Sequence, residues 1–144
     1  VDHQGNFDIP IDVMSMPKLI GFSSKIEVQK IPLVTGWMNA LHCVFMDRSN
    51  VRKSGEAIIK GIRNLKAGFS IVIFPEGTRS KGDKMAEFKA GSFKLATKAK
   101  CPIVPITMNG SYKIMEHGNG PWIKKATVDF YIHKKVETDG LSKE

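Results

Sequence analysis

Apolar residues fall along the chain in short runs whose spacing alternates between the helical period and the unbroken pattern of buried strands. Ile9, Ile11, Val13, Met14 and Met16 crowd one segment after Asp8, with Pro10 where a first helical turn tolerates it, and predict a first helix capped by Asp8. From about Glu27 to Leu41, Val28, Ile31, Val34, Trp37, Met38 and Leu41 recur at helical spacing, although Pro32 and Gly36 argue for a break inside that helix. Val44 to Met46 reads as a buried strand ending at Asp47 and Arg48. The clearest helix is Ser54 to Ala67, with Ile58, Ile59, Ile62 and Leu65 on one face, Ser54 as cap and Gly68 as stop. Ile71 to Phe74 is the next strand, closed by Pro75; a helix through Phe93, Leu95, Ala96 and Ala99 leads to a strand at Ile103–Met108, and a last strand covers Thr127–His133. Strands alternating with helices predict a single α/β domain, a mainly parallel mixed sheet flanked by helices, with functional groups at the carboxyl ends of the strands.

At 144 residues, 42% of them hydrophobic, the chain suffices for one domain with its own core. Valine at position 1 predicts a chain that begins partway through a gene product, truncated at its amino terminus. No run approaches the ~18 consecutive apolar residues of a membrane-spanning helix. Cys43 and Cys101 lie within or beside apolar runs, without metal-ligand spacing, and read as reduced core residues of a cytosolic protein. The net charge of +8 favours polyanionic partners. Its basic residues are dispersed and not interleaved with aromatics, which argues against nucleic acid and leaves phosphate-bearing lipid surfaces.

Two constellations carry chemistry. In Asp2-His3-Gln4-Gly5-Asn6-Phe7-Asp8, a histidine precedes an aspartate by five positions. On one helix the two side chains would stand about 140° apart, so the spacing works only across a turn such as Gly5-Asn6. There Asp8 can hold one imidazole nitrogen while the other takes a proton from a hydroxyl. The same residues also suit a polar turn with Asp8 as a helix cap. The second constellation, Phe74-Pro75-Glu76-Gly77-Thr78-Arg79-Ser80, follows a strand with a glycine turn, hydroxyls, backbone N–H groups and a guanidinium, the set needed to hold a phosphomonoester. In it Glu76 can restrain Arg79 by pairing with it; a plain surface loop with an internal ion pair is the other reading.

Together these two strings resemble the glycerolipid acyltransferase family and, within it, bacterial-type lysophosphatidic acid acyltransferases. Val44-Phe45-Met46-Asp47-Arg48 is similar to that family's second block and Ile103-Val104-Pro105-Ile106 to its fourth; Lys25 and Pro32 also agree, and the likeness runs from Asp2 to about Gly110. The resemblance implies a glycerol-3-phosphate acyltransferase-like fold over residues 1–144, with His3 and Asp8 catalytic and Arg48, Glu76, Gly77, Thr78 and Arg79 at the acceptor site, Lys89 being a further candidate for the same anion. It implies no cofactor, acyl-CoA or acyl carrier protein being the donor substrate and lysophosphatidic acid the acceptor, at the cytoplasmic face of a membrane. Two positions depart from the family's habit: Asp2 stands where asparagine is usual, and Gly5 where serine or a similar small residue is usual. A carboxylate at position 2, beside the dyad, would favour the protonated imidazole. Met14, Met16, Trp37 and Met38 read as core, with an acyl tunnel as the alternative. Rival functions are acyl transfer to another acceptor, a phosphohydrolase with His3 and Asp8 on a metal, and a non-catalytic module for anionic lipid.

Overall fold

The computed structural model describes residues 1–47, 49–117 and 122–140. Its elements in chain order are α1 (Asp8–Ser15), β1 (Ile20–Lys25), α2 (Val34–Ala40), β2 (Val44–Met46), α3 (Val51–Lys66), β3 (Ser70–Val72), α4 (Lys94–Ala99), β4 (Ile106–Asn109) and β5 (Asp129–Ile132). Short 3₁₀ turns occupy Ile26–Lys30, Ala90–Phe93 and Ser111–Lys113. β1 is the central strand of a parallel sheet ordered β2-β1-β3, its first half paired with β3 and its second half with β2. β4 and β5 form a separate antiparallel pair with Met108 opposite Phe130. The parallel sheet flanked by helices agrees with the α/β expectation, while the antiparallel strands stand outside that sheet instead of extending it.

Two differences from the expected elements have clear causes. The segment 27–41 is not one helix. Pro32 has no N–H to donate and Leu33 sits at φ 66°, ψ −47°, so that Val34 N–H bonds Pro32 carbonyl across a three-residue turn; a 3₁₀ turn lies before this point and α2 after it. β1 itself went unpredicted, because Ile20-Gly21-Phe22-Ser23-Ser24-Lys25 places only two large apolar residues among small and polar ones, yet Ile20 and Phe22 are core. In α3 the cap is Asn50, whose side chain accepts from Lys53 N–H at 3.1 Å; Ser54 instead donates to Asp47 carbonyl at 2.5 Å. Gly68, at φ 93°, stops that helix as expected, and Phe69 N–H returns to Asn64 carbonyl.

The core is built by Ile20, Phe22, Met38, Cys43, Phe45 and Val72, with Ile9, Met16 and Phe74 packed at its edge. The apolar stripe of the first two helices therefore divides: Met38 is core and Met16 borders it, whereas Met14 is 85% exposed and Trp37 about half exposed. α1 buries Asp8 and Asp12, not its methionines.

Gly21 and Gly61 mark close approaches of two different kinds. A Cβ on Gly21 would meet Leu41 carbonyl oxygen at 2.6 Å, a backbone obstacle, whereas one on Gly61 would meet only the Leu95 side chain, at 2.7 Å. Gly21→Ala should therefore lose roughly 1–3 kcal/mol of stability. Gly61→Ala should come out near neutral, since the helix gains about 1 kcal/mol in propensity as Leu95 shifts. Chemical denaturation of the two variants checks the contrast.

Candidate active site

Residues 1–4 bridge the loop after β3 and the β4 region and place the histidine. Successive side chains of an extended segment point to opposite sides. Asp2 and Gln4 turn toward β4 and the residues that follow it: Asp2 accepts from Met108 N–H at 2.6 Å and Gln4 from Gly110 N–H at 2.9 Å. His3 takes the other side, where its ring stacks on Phe74 at 4.1 Å. The main chain is held as well, Ser80 N–H donating to His3 carbonyl at 2.8 Å and Lys81 N–H to Gln4 carbonyl at 3.0 Å. Asp2 is thus bonded to β4 through its side chain. Burial pushes its carboxyl up, against the bond from Met108.

His3 Nδ1 lies 2.7 Å from Asp8 Oδ2. The turn inferred at Gly5-Asn6 is present, and Gly5 N–H donates to the same oxygen at 2.9 Å. Asp8 opens α1 but does not cap it, because its carboxylate is taken up by this turn. Its other oxygen, Oδ1, accepts from Ser111 Oγ at 2.5 Å. Asp8 is fully buried, and three donors meet its charge. With Nδ1–H directed at a carboxylate, the neutral ring keeps its lone pair on Nε2, and the His3 side chain remains 18% exposed. A partly accessible imidazole so oriented can accept a proton from a bound hydroxyl.

The Phe74–Ser80 loop meets this turn, though not in the way its sequence implied. Glu76 does not pair with Arg79. It is 1% exposed and accepts from His3 N–H at 2.6 Å and Ala86 N–H at 2.7 Å, which ties the histidine to the loop. Two backbone amides close by satisfy its carboxylate. Arg79 Nη1 donates instead to Asn6 Oδ1. Gly77, at φ 71°, closes a turn by donating to Phe74 carbonyl at 3.1 Å. Thr78 and Lys89 are exposed, and Lys89 N–H donates to Pro75 carbonyl at 2.9 Å. Arg48 lies outside the described residues. His3, Asp8 and Glu76 are therefore linked by hydrogen bonds, and Arg79 is tied to the same turn through Asn6. Sequence reasoning missed Gln4, Ser111 and Glu116, whose carboxylate accepts from Asn6 N–H.

Residues 1–109 match the family model described as Acyltransferase. The chain belongs to the acyltransferase family. It is 35% identical over 136 residues to a protein of Arabidopsis thaliana named 1-acyl-sn-glycerol-3-phosphate acyltransferase LPAT1, chloroplastic, covering 94% of this chain and 38% of that one. It is 30% identical over 147 residues to the 1-acyl-sn-glycerol-3-phosphate acyltransferase of Saccharomyces cerevisiae, covering 99% and 48%. The fold is similar to the crystal structure of the 1-acyl-sn-glycerophosphate (LPA) acyltransferase PlsC from Thermotoga maritima, with a TM-score of 0.80 and 32% identity over 98% of this chain and 55% of that one. The chain thus spans about half the length, or less, of the relatives it matches.

One turn below Asp8, Asp12 is fully buried, and neither of its carboxylate oxygens has a hydrogen-bond partner among the described residues. Burial pushes its carboxyl from 3.8 up to about 7, the Val1 ammonium opposing and Asp8 and Asp2 adding to the rise. Between those values the folded chain holds a proton that the unfolded chain has lost, so stability falls as pH climbs from 3.8 to about 7. Asp12→Asn should remove that slope. In thermal unfolding across this window, variant and parent should melt together at the acid end and diverge toward neutrality, the variant being the more stable.

Proposed function

We propose that the protein transfers a fatty acyl group from a thioester donor, acyl-CoA or acyl carrier protein, to the free sn-2 hydroxyl of lysophosphatidic acid, forming phosphatidic acid. The observation that carries this reading is the pairing of His3 with a buried, fully hydrogen-bonded Asp8 on the same short turn whose Asn6 holds Arg79. A base for a hydroxyl and a guanidinium for a phosphate, a few residues apart, match an acceptor that bears both groups. The relatives' names point to that acceptor.

In this mechanism Nε2 of His3 takes the hydroxyl proton as the oxygen attacks the thioester carbonyl carbon. Asp8, facing Nδ1, stabilises the imidazolium that forms. The tetrahedral intermediate collapses with cleavage of the C–S bond, and the imidazolium returns its proton to the leaving thiolate. No acyl-enzyme is needed. Arg79 supplies orientation through the acceptor's phosphate. Glu76, spent on two amides, acts by holding His3 and does not touch the phosphate.

Contact with a membrane surface is supported by Ile31, Leu33, Val34 and Trp37, which stand exposed around the turn before α2, Leu33 at 92%. These follow β1 as the motif loop follows β3, so both leave the same end of the parallel sheet. No helix among the described residues is long and apolar enough to cross a membrane. A bilayer that is partly anionic suits a chain of charge +8, and we place the protein at the cytoplasmic face.

The test is transfer of labelled acyl groups from acyl-CoA to lysophosphatidic acid by the full-length protein. His3→Ala should lower kcat by ~10²–10⁴-fold. Ser111→Ala, which leaves Asp8 its other two donors, should lower it by about tenfold. Near-full activity in His3→Ala would remove the dyad from the mechanism, and turnover of another acceptor in preference to lysophosphatidic acid would redirect the assignment.

A further inference from the structure

Glu116 lies in the turn after β4, where its N–H bonds Tyr112 carbonyl at 2.9 Å. From there its carboxylate reaches the Gly5-Asn6 turn, and Oε1 accepts from Asn6 N–H at 2.6 Å. The next residue back, Met115, receives the Asn6 side-chain amide at Sδ, 3.6 Å away. The remaining side-chain group of Asn6, Oδ1, accepts from Arg79. Asn6 is therefore gripped by residues 115 and 116 on one side and itself grips the guanidinium on the other.

Gly5 completes the arrangement. A Cβ there would fall 2.6 Å from Glu116 Oε2 and 3.0 Å from its Cδ. Gly5 is not among the residues with positive φ, so its backbone would accept alanine. What the site cannot accept at position 5 is a side chain beside the Glu116 carboxylate. Because the obstacle is the end of a flexible side chain, adding the Cβ would displace the carboxylate from Asn6 and leave the backbone where it is.

The geometry points to Glu116 as a positioning residue that acts through Asn6 on Arg79, and so fixes where the acceptor's phosphate sits, with Gly5 leaving the space this requires. This rests on the reading of Arg79 as the phosphate contact. Glu116→Ala and Gly5→Ala, by different routes, free the same Asn6, so their effects should coincide instead of adding.

The experiment compares full-length wild type, Glu116→Ala, Glu116→Gln, Gly5→Ala and the Gly5→Ala/Glu116→Ala double variant. Its readouts are kcat, KM for lysophosphatidic acid, KM for acyl-CoA, and the affinity for glycerol 3-phosphate by titration, which needs no turnover. Each alanine variant should raise the acceptor KM and weaken glycerol 3-phosphate binding about tenfold. The donor KM should stay unchanged, the double variant should be no worse than either single one, and Gln, which keeps an oxygen acceptor, should recover most of the loss. Additive losses in the double variant would overturn the proposal, as would a fall in kcat and melting temperature with the acceptor KM unmoved. If the wild type shows no acyl transfer, the proposed reaction fails, and the titration still decides the role of Glu116; absence of wild-type glycerol 3-phosphate binding overturns it.

Discussion

A charged carboxylate removed from water is tolerable only where hydrogen-bond donors replace the lost solvent, and the site is organised around meeting that demand at Asp8. Its donors come from three places: the ring of His3, the backbone of Gly5 and the hydroxyl of Ser111, the last from beyond β4. Satisfying Asp8 therefore bends the chain at Gly5-Asn6, brings the residues after β4 against the start of α1, and leaves the imidazole in one orientation. Asp12, one helical turn away, shows the opposite case: equally buried and without a donor among the described residues, it is driven by burial toward its neutral form. Two carboxylates on one face of one short helix thus differ in their surroundings, one met by three donors and the other by none among the described residues.

Glu76 plays the matching part on the other side of the histidine. By accepting from His3 and Ala86 amides it joins the start of the chain to the loop after β3 and to the segment that leads toward α4. Asp8 orients the ring and Glu76 holds the backbone beneath it. Arg79, released from pairing with Glu76, is held by Asn6, so the guanidinium stays associated with the turn that carries the base.

Much of this was legible in the sequence. α3, β2 and the motif loop follow from patterns a few residues long, with strong signals in Gly68 and Pro75. His3 and Asp8 could be paired because only a turn makes their spacing useful. β1 could not be read, since its central place is earned by pairing on both edges and by Gly21 lying against Leu41, neither of which leaves a run of large apolar residues. The 27–41 segment kept a helical period through Pro32, and the local backbone overrode the pattern. Glu76 and Arg79, three residues apart in a polar loop, suggest an ion pair; that Glu76 is instead buried against two amides depends on partners 73 and 10 residues away. Ser111 and Glu116 carry no local signal, because what they hold is more than 100 residues distant in the chain.

The bridging segment 1–4 has a consequence for motion. The parallel sheet and the β4–β5 pair have separate ladders, and this segment bonds to the loop after β3 through its main chain, to β4 through the side chain of Asp2 and to Gly110 just beyond it through Gln4. Any fluctuation that lifts β4–β5 away must first release Asp2 from Met108 and Ser111 from Asp8, so local opening and the loss of one of Asp8's three donors become a single event. An occupant that binds best when Asp8 keeps all three donors therefore adds to the protection of amides in β4 and β5, strands it does not touch. Slowed hydrogen exchange there would be the signature of a filled site.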